Sequence, residues 1–188
     1  AEFARSGASV VSADFTRIAT TSTLSLFREA NLPARVVQTD ATSLPFKDET
    51  FDCIYSFGVL HHIPDVEKAV FEINRVLKPG GQVMVMLYNK DSLLYGYSIV
   101  YLKGIKERLL ETVTMDEILA RYSERREDNP YTKVYTKGEA RTLFSKYFKS
   151  CSVDVRYNVI DLPGQRKVKV SLPDEYELGW HLIVKAVK

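Results

Sequence analysis

An α/β fold built on a mostly parallel sheet is what this sequence of 188 residues predicts, and three observations carry the prediction. Short apolar runs at Val36-Val37, Phe51 to Tyr55 and Val83 to Leu87 are bounded by turn residues, the pattern of strands buried in a parallel sheet. Between the second and third lies a well-marked helix: Pro64 and Asp65 suit its first turn, and Val66, Ala69, Val70, Ile73, Val76 and Leu77 recur at three- and four-residue steps. Finally, the chain closes with two strand patterns that have no helix between them, which makes those two antiparallel.

The elements follow in order. Ala1 to Ser6 reads as the last turns of a helix ended by Gly7, and Ala8 to Ala13 as a strand closing on Asp14. Thr16 to Asn31 suits a helix with Ile18, Leu24, Leu26 and Phe27 as its apolar positions, although Thr20 to Thr23 compete for backbone bonds. Pro33 forces extended chain into a strand from Arg35 to Thr39, followed by Asp40-Ala41. Phe51 to Ser56 is apolar enough for a central strand. Pro79-Gly80-Gly81 stops the next helix and leads into the strand Gln82 to Leu87. Tyr88-Asn89-Lys90 falls at the carboxyl end of that strand, the edge where open α/β sheets bind ligands, so Tyr88 is a candidate wall of a substrate pocket.

Beyond it the pattern changes. Ser92 to Leu102 carries no charge and several tyrosines, including Tyr95, which fits either a lid over a substrate or an ordinary packed helix. Lys103 to Arg126 is a charged helical pattern. Together, about 92–135 reads as a helical insertion in a single domain. Thr136 and Glu139 have capping-box spacing and open a helix carrying Ala140, Leu143, Phe144, Tyr147 and Phe148. Val153, Val155 and Tyr157 alternate with polar residues in a strand, and Trp180 to Val187 forms the last.

Composition bounds the function. An apolar share of 45% and a charged share of 27% are those of a soluble globular protein. A net charge of +2 with no Lys/Arg run argues against a nucleic-acid partner. Cys53 and Cys151, far apart and without Cys-x-x-Cys spacing, read as small core residues of a reduced cytosolic protein. The longest uncharged run is well short of the ~20 residues that span a bilayer, and no leader-like segment opens the chain, so the expected location is the cytoplasm.

Four features at their mutual intervals now become specific: strand-final Asp14, strand-final Asp40, the turn Leu60-His-His-Ile-Pro64, and Leu77-Lys-Pro-Gly-Gly81. With them the chain resembles a class I S-adenosylmethionine-dependent methyltransferase, from about residue 1 to 88 and more weakly from 136 to the end. The resemblance implies a Rossmann-like three-layer sandwich with an antiparallel C-terminal hairpin and S-adenosyl-L-methionine as cofactor. It also implies site residues. Asp14, followed by Phe15, would accept the ribose hydroxyls; Asp40 would accept the adenine amino group and Ala41 would donate its amide to the ring; Phe57 and Gly58 would pass the methionine end. Taken alone, Asp14 reads more readily as a strand-end turn or helix-cap carboxylate, whereas Asp40 suits a turn and a ligand contact equally.

One part of the family's pattern is absent. No Gly-x-Gly turn occurs in this sequence, so the first, central strand of the sheet and its glycine loop are missing. The expectation is a truncated domain that binds its cofactor poorly and self-associates through unpaired sheet. His62 and Tyr88 are weak catalytic candidates on the acceptor side, His62 serving equally well to fix the turn before Pro64. Adjacent histidines at 61 and 62 point in different directions, and His181 is the only other, so no metal is expected. The acceptor is expected to be a small or lipid-like molecule. The rival readings are a non-catalytic methyltransferase-like interaction module and a nicotinamide-dependent oxidoreductase.

Overall fold

The computed structural model describes residues 1–124, 131–162, 165–171, 173 and 176–188. They fall into two compact units, Ala1–Lys47 and Asp48–Lys188.

In the first unit a single helical turn, α1 (Glu2–Arg5), ends before Gly7, whose φ of +90° is the left-handed conformation that glycine adopts without strain. β1 (Ser12–Asp14) and β2 (Val36–Gln38) pair in parallel, with Ser12 opposite Val36, Ala13 opposite Val37 and Asp14 opposite Gln38. β1 is shorter than the run of apolar residues suggests because a strand is defined by its partner: β2 offers only three residues. Between them α2 (Arg17–Glu29) starts at Thr16, whose hydroxyl accepts the amide of Ala19. Phe27 is buried, as expected, but Ile18 is 82% exposed. It lies nine positions from Phe27, half a turn around the helix, so the two do not share a face.

The second unit is built on a five-stranded sheet in the order β3-β4-β9-β6, with β5 (Val134–Tyr135) pairing the end of β4. β3 (Phe51–Phe57) and β4 (Leu77–Asn89) are parallel; β9 (His181–Val187) runs antiparallel to both β4 and β6 (Ser150–Arg156). The antiparallel closing pair is therefore as expected from the sequence. α3 (Val66–Val76) is capped by Asp65, whose carboxylate accepts the Lys68 amide at 3.1 Å, and its stripe of Val66, Ala69, Val70, Ile73 and Val76 is buried. β4 begins at Leu77, directly after the helix, because Leu77 already pairs with Phe51.

After β4 the chain enters a π-helix, Leu94–Lys106, wound more widely than an α-helix. Leu94, Ile99 and Leu102 are buried, while Tyr97 and Tyr101 are exposed and stacked, with ring centroids 5.8 Å apart. The charged stretch that follows is less helical than its pattern. It makes a 3₁₀ turn at Leu109–Glu111 and then α4 (Met115–Ser123), started by a capping box between Thr114 and Glu117. The predicted box of Thr136 and Glu139 opens α5 (Lys137–Ser145). Between β6 and β9 in the chain, β7 (Val159–Leu162) and β8 (Gln165–Lys169) pair antiparallel.

One core joins these pieces: Met86, Tyr88, Leu94, Ile99, Ile118, Leu119, Val159 and Trp180 are buried against one another. The cysteines are not part of it. Cys53 is exposed and Cys151 half-buried, on a face of the sheet crossed by a groove of about 380 Å³ that both residues line with Met84 and Lys185. The apolar pattern of β3 suggests burial on both faces, but only one face is covered: Cys53, Tyr55 and Phe57, at alternate positions, are all exposed.

Candidate active site

In the first unit the strand-final carboxylates lie at the same edge. Asp14 ends β1, and Asp40 stands two residues beyond the end of β2, its parallel neighbour. Asp14 Oδ1 accepts the backbone amide of Thr16 at 2.8 Å and its hydroxyl at 3.0 Å, which fixes the carboxylate at the start of α2. Asp40 Oδ1 accepts the Thr42 amide at 2.8 Å. Both therefore close Asx turns, the role that each suits in isolation. The Gln38 side-chain amide donates to the Phe15 carbonyl at 3.1 Å, tying the two strand ends together. The ring of Phe15 is 70% exposed beside them. Ala41 follows Asp40 in the turn, half-buried.

In the second unit Phe57 ends β3 and is exposed, stacked at 5.9 Å on Tyr55 and edge-on to His181 at 5.6 Å. Gly58 has φ +79°, and a Cβ there would meet only the tip of Met86 at 3.9 Å. The glycine is needed for its backbone, not for space.

The turn after Gly58 is a 3₁₀ helix, Leu60–His62. Its tight winding leaves the two imidazoles 4.2 Å apart. His61 is wholly buried, stacked at 3.8 Å on Tyr88, and neither ring nitrogen has a hydrogen-bond partner. His62 is held on both sides: Nδ1 lies 2.9 Å from the Tyr131 carbonyl and 3.2 Å from the Thr132 hydroxyl, and Nε2 lies 3.0 Å from Glu124 Oε1. The same oxygen accepts the Tyr88 hydroxyl at 2.6 Å and lies 3.9 Å from His61 Nε2. Tyr88 is itself buried and stacked on Trp180 at 4.2 Å.

Glu124 is the residue that sequence reasoning misses. It follows the last turn of α4 and reaches a turn 62 residues earlier in the chain. The nearby imidazoles of His61 and His62, with the Tyr88 hydroxyl, hold its carboxyl far below the usual carboxylate range against the opposing effect of burial. His61 acts here by proximity, since 3.9 Å is too long for a hydrogen bond. Burial pushes the Tyr88 hydroxyl well above the ordinary phenol value, reinforced by its bond to Glu124. It also pulls the His61 imidazole down. Tyr95, on the π-helix, is half-buried against the same core, its hydroxyl shifted upward by burial.

Residues 1–85 match the family model described as a methyltransferase domain. The likeness to methyltransferases thus lies in the first 85 residues, a little under half of the chain. Among similar proteins, a ubiquinone/menaquinone biosynthesis C-methyltransferase of Teredinibacter turnerae is 40% identical over 88 residues, covering 45% of this chain and 35% of that one. An uncharacterised protein of Methanocaldococcus jannaschii is 40% identical over 81 residues, covering 43% of this chain and 36% of the other. The chain thus spans about a third of the length of these relatives. Among solved structures, a SAM-dependent methyltransferase of Methanosarcina mazei superposes with a TM-score of 0.68 at 21% identity, covering 100% of this chain and 85% of that one. That likeness is one of fold: Rossmann-like, with parallel strands and an antiparallel C-terminal pair. Among the described residues no helix is long and apolar enough to cross a membrane.

Proposed function

We propose that the protein takes part in S-adenosylmethionine-dependent methyl transfer to a small-molecule or lipid-like acceptor, and that Asp14 and Asp40 bind the nucleoside of the cofactor. The observation that carries this reading is the pairing of β1 with β2 in parallel and in a register that sets the two carboxylates at one edge. Binding sites of open α/β sheets lie at that edge.

The residues present fit a nucleoside. A carboxylate at one strand tip accepts the two ribose hydroxyls, and a second at the neighbouring tip accepts an exocyclic amine. Asp14 Oδ1 is engaged by Thr16, so Oδ2 is the oxygen assigned to the ribose. Asp40 receives the adenine amino group and the Ala41 amide donates to the ring. The exposed ring of Phe15 supplies apolar contact next to Asp14. When bound, S-adenosylmethionine supplies an electrophilic methyl group on its sulfonium. The protein's part is to hold the two reactants in line, an effect able to lower a barrier by several kcal/mol.

Binding by this chain is weak in this reading, because no Gly-x-Gly turn lets backbone amides approach the methionine end. β3, an edge strand of its sheet bearing exposed Tyr55 and Phe57, favours self-association. The setting is cytoplasmic, and no nucleic-acid partner is involved. Thermal denaturation with S-adenosylhomocysteine and, separately, with NAD tests the reading. Stabilisation by millimolar S-adenosylhomocysteine and none by NAD supports it. A shift with NAD alone transfers the site to nicotinamide chemistry, and micromolar affinity for S-adenosylmethionine removes the expectation of weak binding.

A further inference from the structure

The cluster at His61, His62 and Glu124 has a polar arrangement that a nucleoside site does not use. His62 Nδ1 faces the Tyr131 carbonyl at 2.9 Å and the Thr132 hydroxyl at 3.2 Å; the carbonyl can only accept, so we assign the proton to that nitrogen and let the hydroxyl turn away from it. The remaining nitrogen of a neutral imidazole then presents a lone pair, and it is this Nε2 that faces the Glu124 carboxylate at 3.0 Å. Such a pair is satisfied by a second proton on Nε2 or by a metal ion bound to both atoms. His61 adds a second donor atom: the ring is wholly buried, neither nitrogen makes a hydrogen bond of normal geometry, and Nε2 lies 3.9 Å from the same carboxylate oxygen.

We propose that His61, His62 and Glu124 form a binding site for a divalent transition-metal ion of the zinc type. Ligand atoms of all three lie within 4.8 Å of one another. Bonds of about 2.1 Å in a tetrahedral site place ligand atoms about 3.4 Å apart, a spacing bracketed by the separations of 3.0 and 3.9 Å. The Nδ1 contact of His62 with the Tyr131 carbonyl is the outer-shell hydrogen bond that orients metal-bound imidazoles. The Tyr88 hydroxyl, at 2.6 Å, does the same for Glu124. The rule that adjacent histidines diverge describes an α-helix. Here a 3₁₀ turn brings both imidazoles to a carboxylate supplied from α4. Three protein ligands leave the fourth position to water, and the ion ties the turn after β3 to the end of α4.

The competing state is a proton in place of the metal, an imidazolium–carboxylate pair. The 188-residue chain, treated with a chelator and dialysed, is titrated with zinc chloride by calorimetry and with cobalt chloride by visible absorption. One equivalent bound with micromolar or tighter affinity is expected, together with the intense visible bands of four- or five-coordinate cobalt. Glu124→Gln, which keeps the side-chain shape, weakens binding at least tenfold, and His62→Ala does the same. Wild-type affinity in a folded Glu124→Gln variant overturns the proposal. So does a cobalt spectrum identical to that of the hydrated ion, which decides the matter on the wild-type chain even where a variant fails to fold.

Discussion

Replacing Glu124 by Gln tests the polar cluster quantitatively. The carboxylate accepts the Tyr88 hydroxyl at 2.6 Å and His62 Nε2 at 3.0 Å. Hydrogen bonds to a charged group each contribute roughly 1.5–3 kcal/mol, against about 1 kcal/mol for a neutral one. Both donors meet the same oxygen, Oε1, so a glutamine that keeps its carbonyl oxygen there retains two bonds but makes each neutral, a loss of roughly 0.5–2 kcal/mol apiece. The Glu124 side chain is about a quarter exposed, at 26%, which favours the lower end, so the expected loss is about 2 kcal/mol. For a chain of this size that lowers the melting temperature by about 4–8 °C. Trp180, the chain's single tryptophan, is buried against Tyr88, so its fluorescence reports unfolding of this unit directly. The measurement is made with chelator present, on metal-free protein. A double-mutant cycle with Tyr88→Phe isolates the pair, with a coupling of about 1 kcal/mol expected. A Glu124→Gln variant within about 0.5 kcal/mol of wild type, the range of ordinary surface substitutions, refutes the reasoning.

Other predictions concern pH and backbone. His61 is held neutral by burial, so its pKa in the folded chain lies below the unfolded value. As pH falls from about 6.5 the unfolded chain takes up a proton that the folded chain refuses, and stability declines by up to about 1.4 kcal/mol per pH unit. Glu124, also depressed, adds its own loss only below about pH 4.3, the unfolded carboxyl value. Denaturant melts of His61→Gln between pH 7 and 5 are flatter than those of wild type; parallel curves contradict the assignment. Thr136→Ala removes the hydroxyl that accepts the Glu139 amide at 3.1 Å and costs about 1 kcal/mol in denaturant melts. An unchanged midpoint would show that α5 does not depend on its cap. Gly58→Ala has room for its methyl group but not the backbone freedom, and loses about 1–2 kcal/mol by the same measurement.

Local signals made much of this fold readable. Asp65 and Thr136 announce helix starts because caps lie within three residues of the amides they serve. The apolar runs of β2, β3 and β4 are legible because parallel strands are short and bounded by turns. Asp14 and Asp40 could be placed at strand tips for the same reason, although only the β1–β2 register puts them at one edge. Glu124 was hidden by its distance along the chain: nothing near it marks a carboxylate destined for a turn 62 residues away. The π-helix escapes because its uncharged, apolar run from Leu94 to Leu102 reads as an ordinary packed helix, and nothing in that pattern distinguishes the wider winding. Cys53 misleads because an apolar strand pattern implies cover on both faces, whereas coverage depends on what packs against it.

The most direct test of the nucleoside assignment is a titration of the isotope-labelled chain with S-adenosylhomocysteine, followed by amide chemical shifts up to millimolar ligand. Weak, saturable shifts concentrated at residues 14–16 and 40–42, and lost in an Asp14→Asn, Asp40→Asn double variant, are the predicted result. Saturable shifts that leave both strand tips untouched, or that persist undiminished in the double variant, would contradict it.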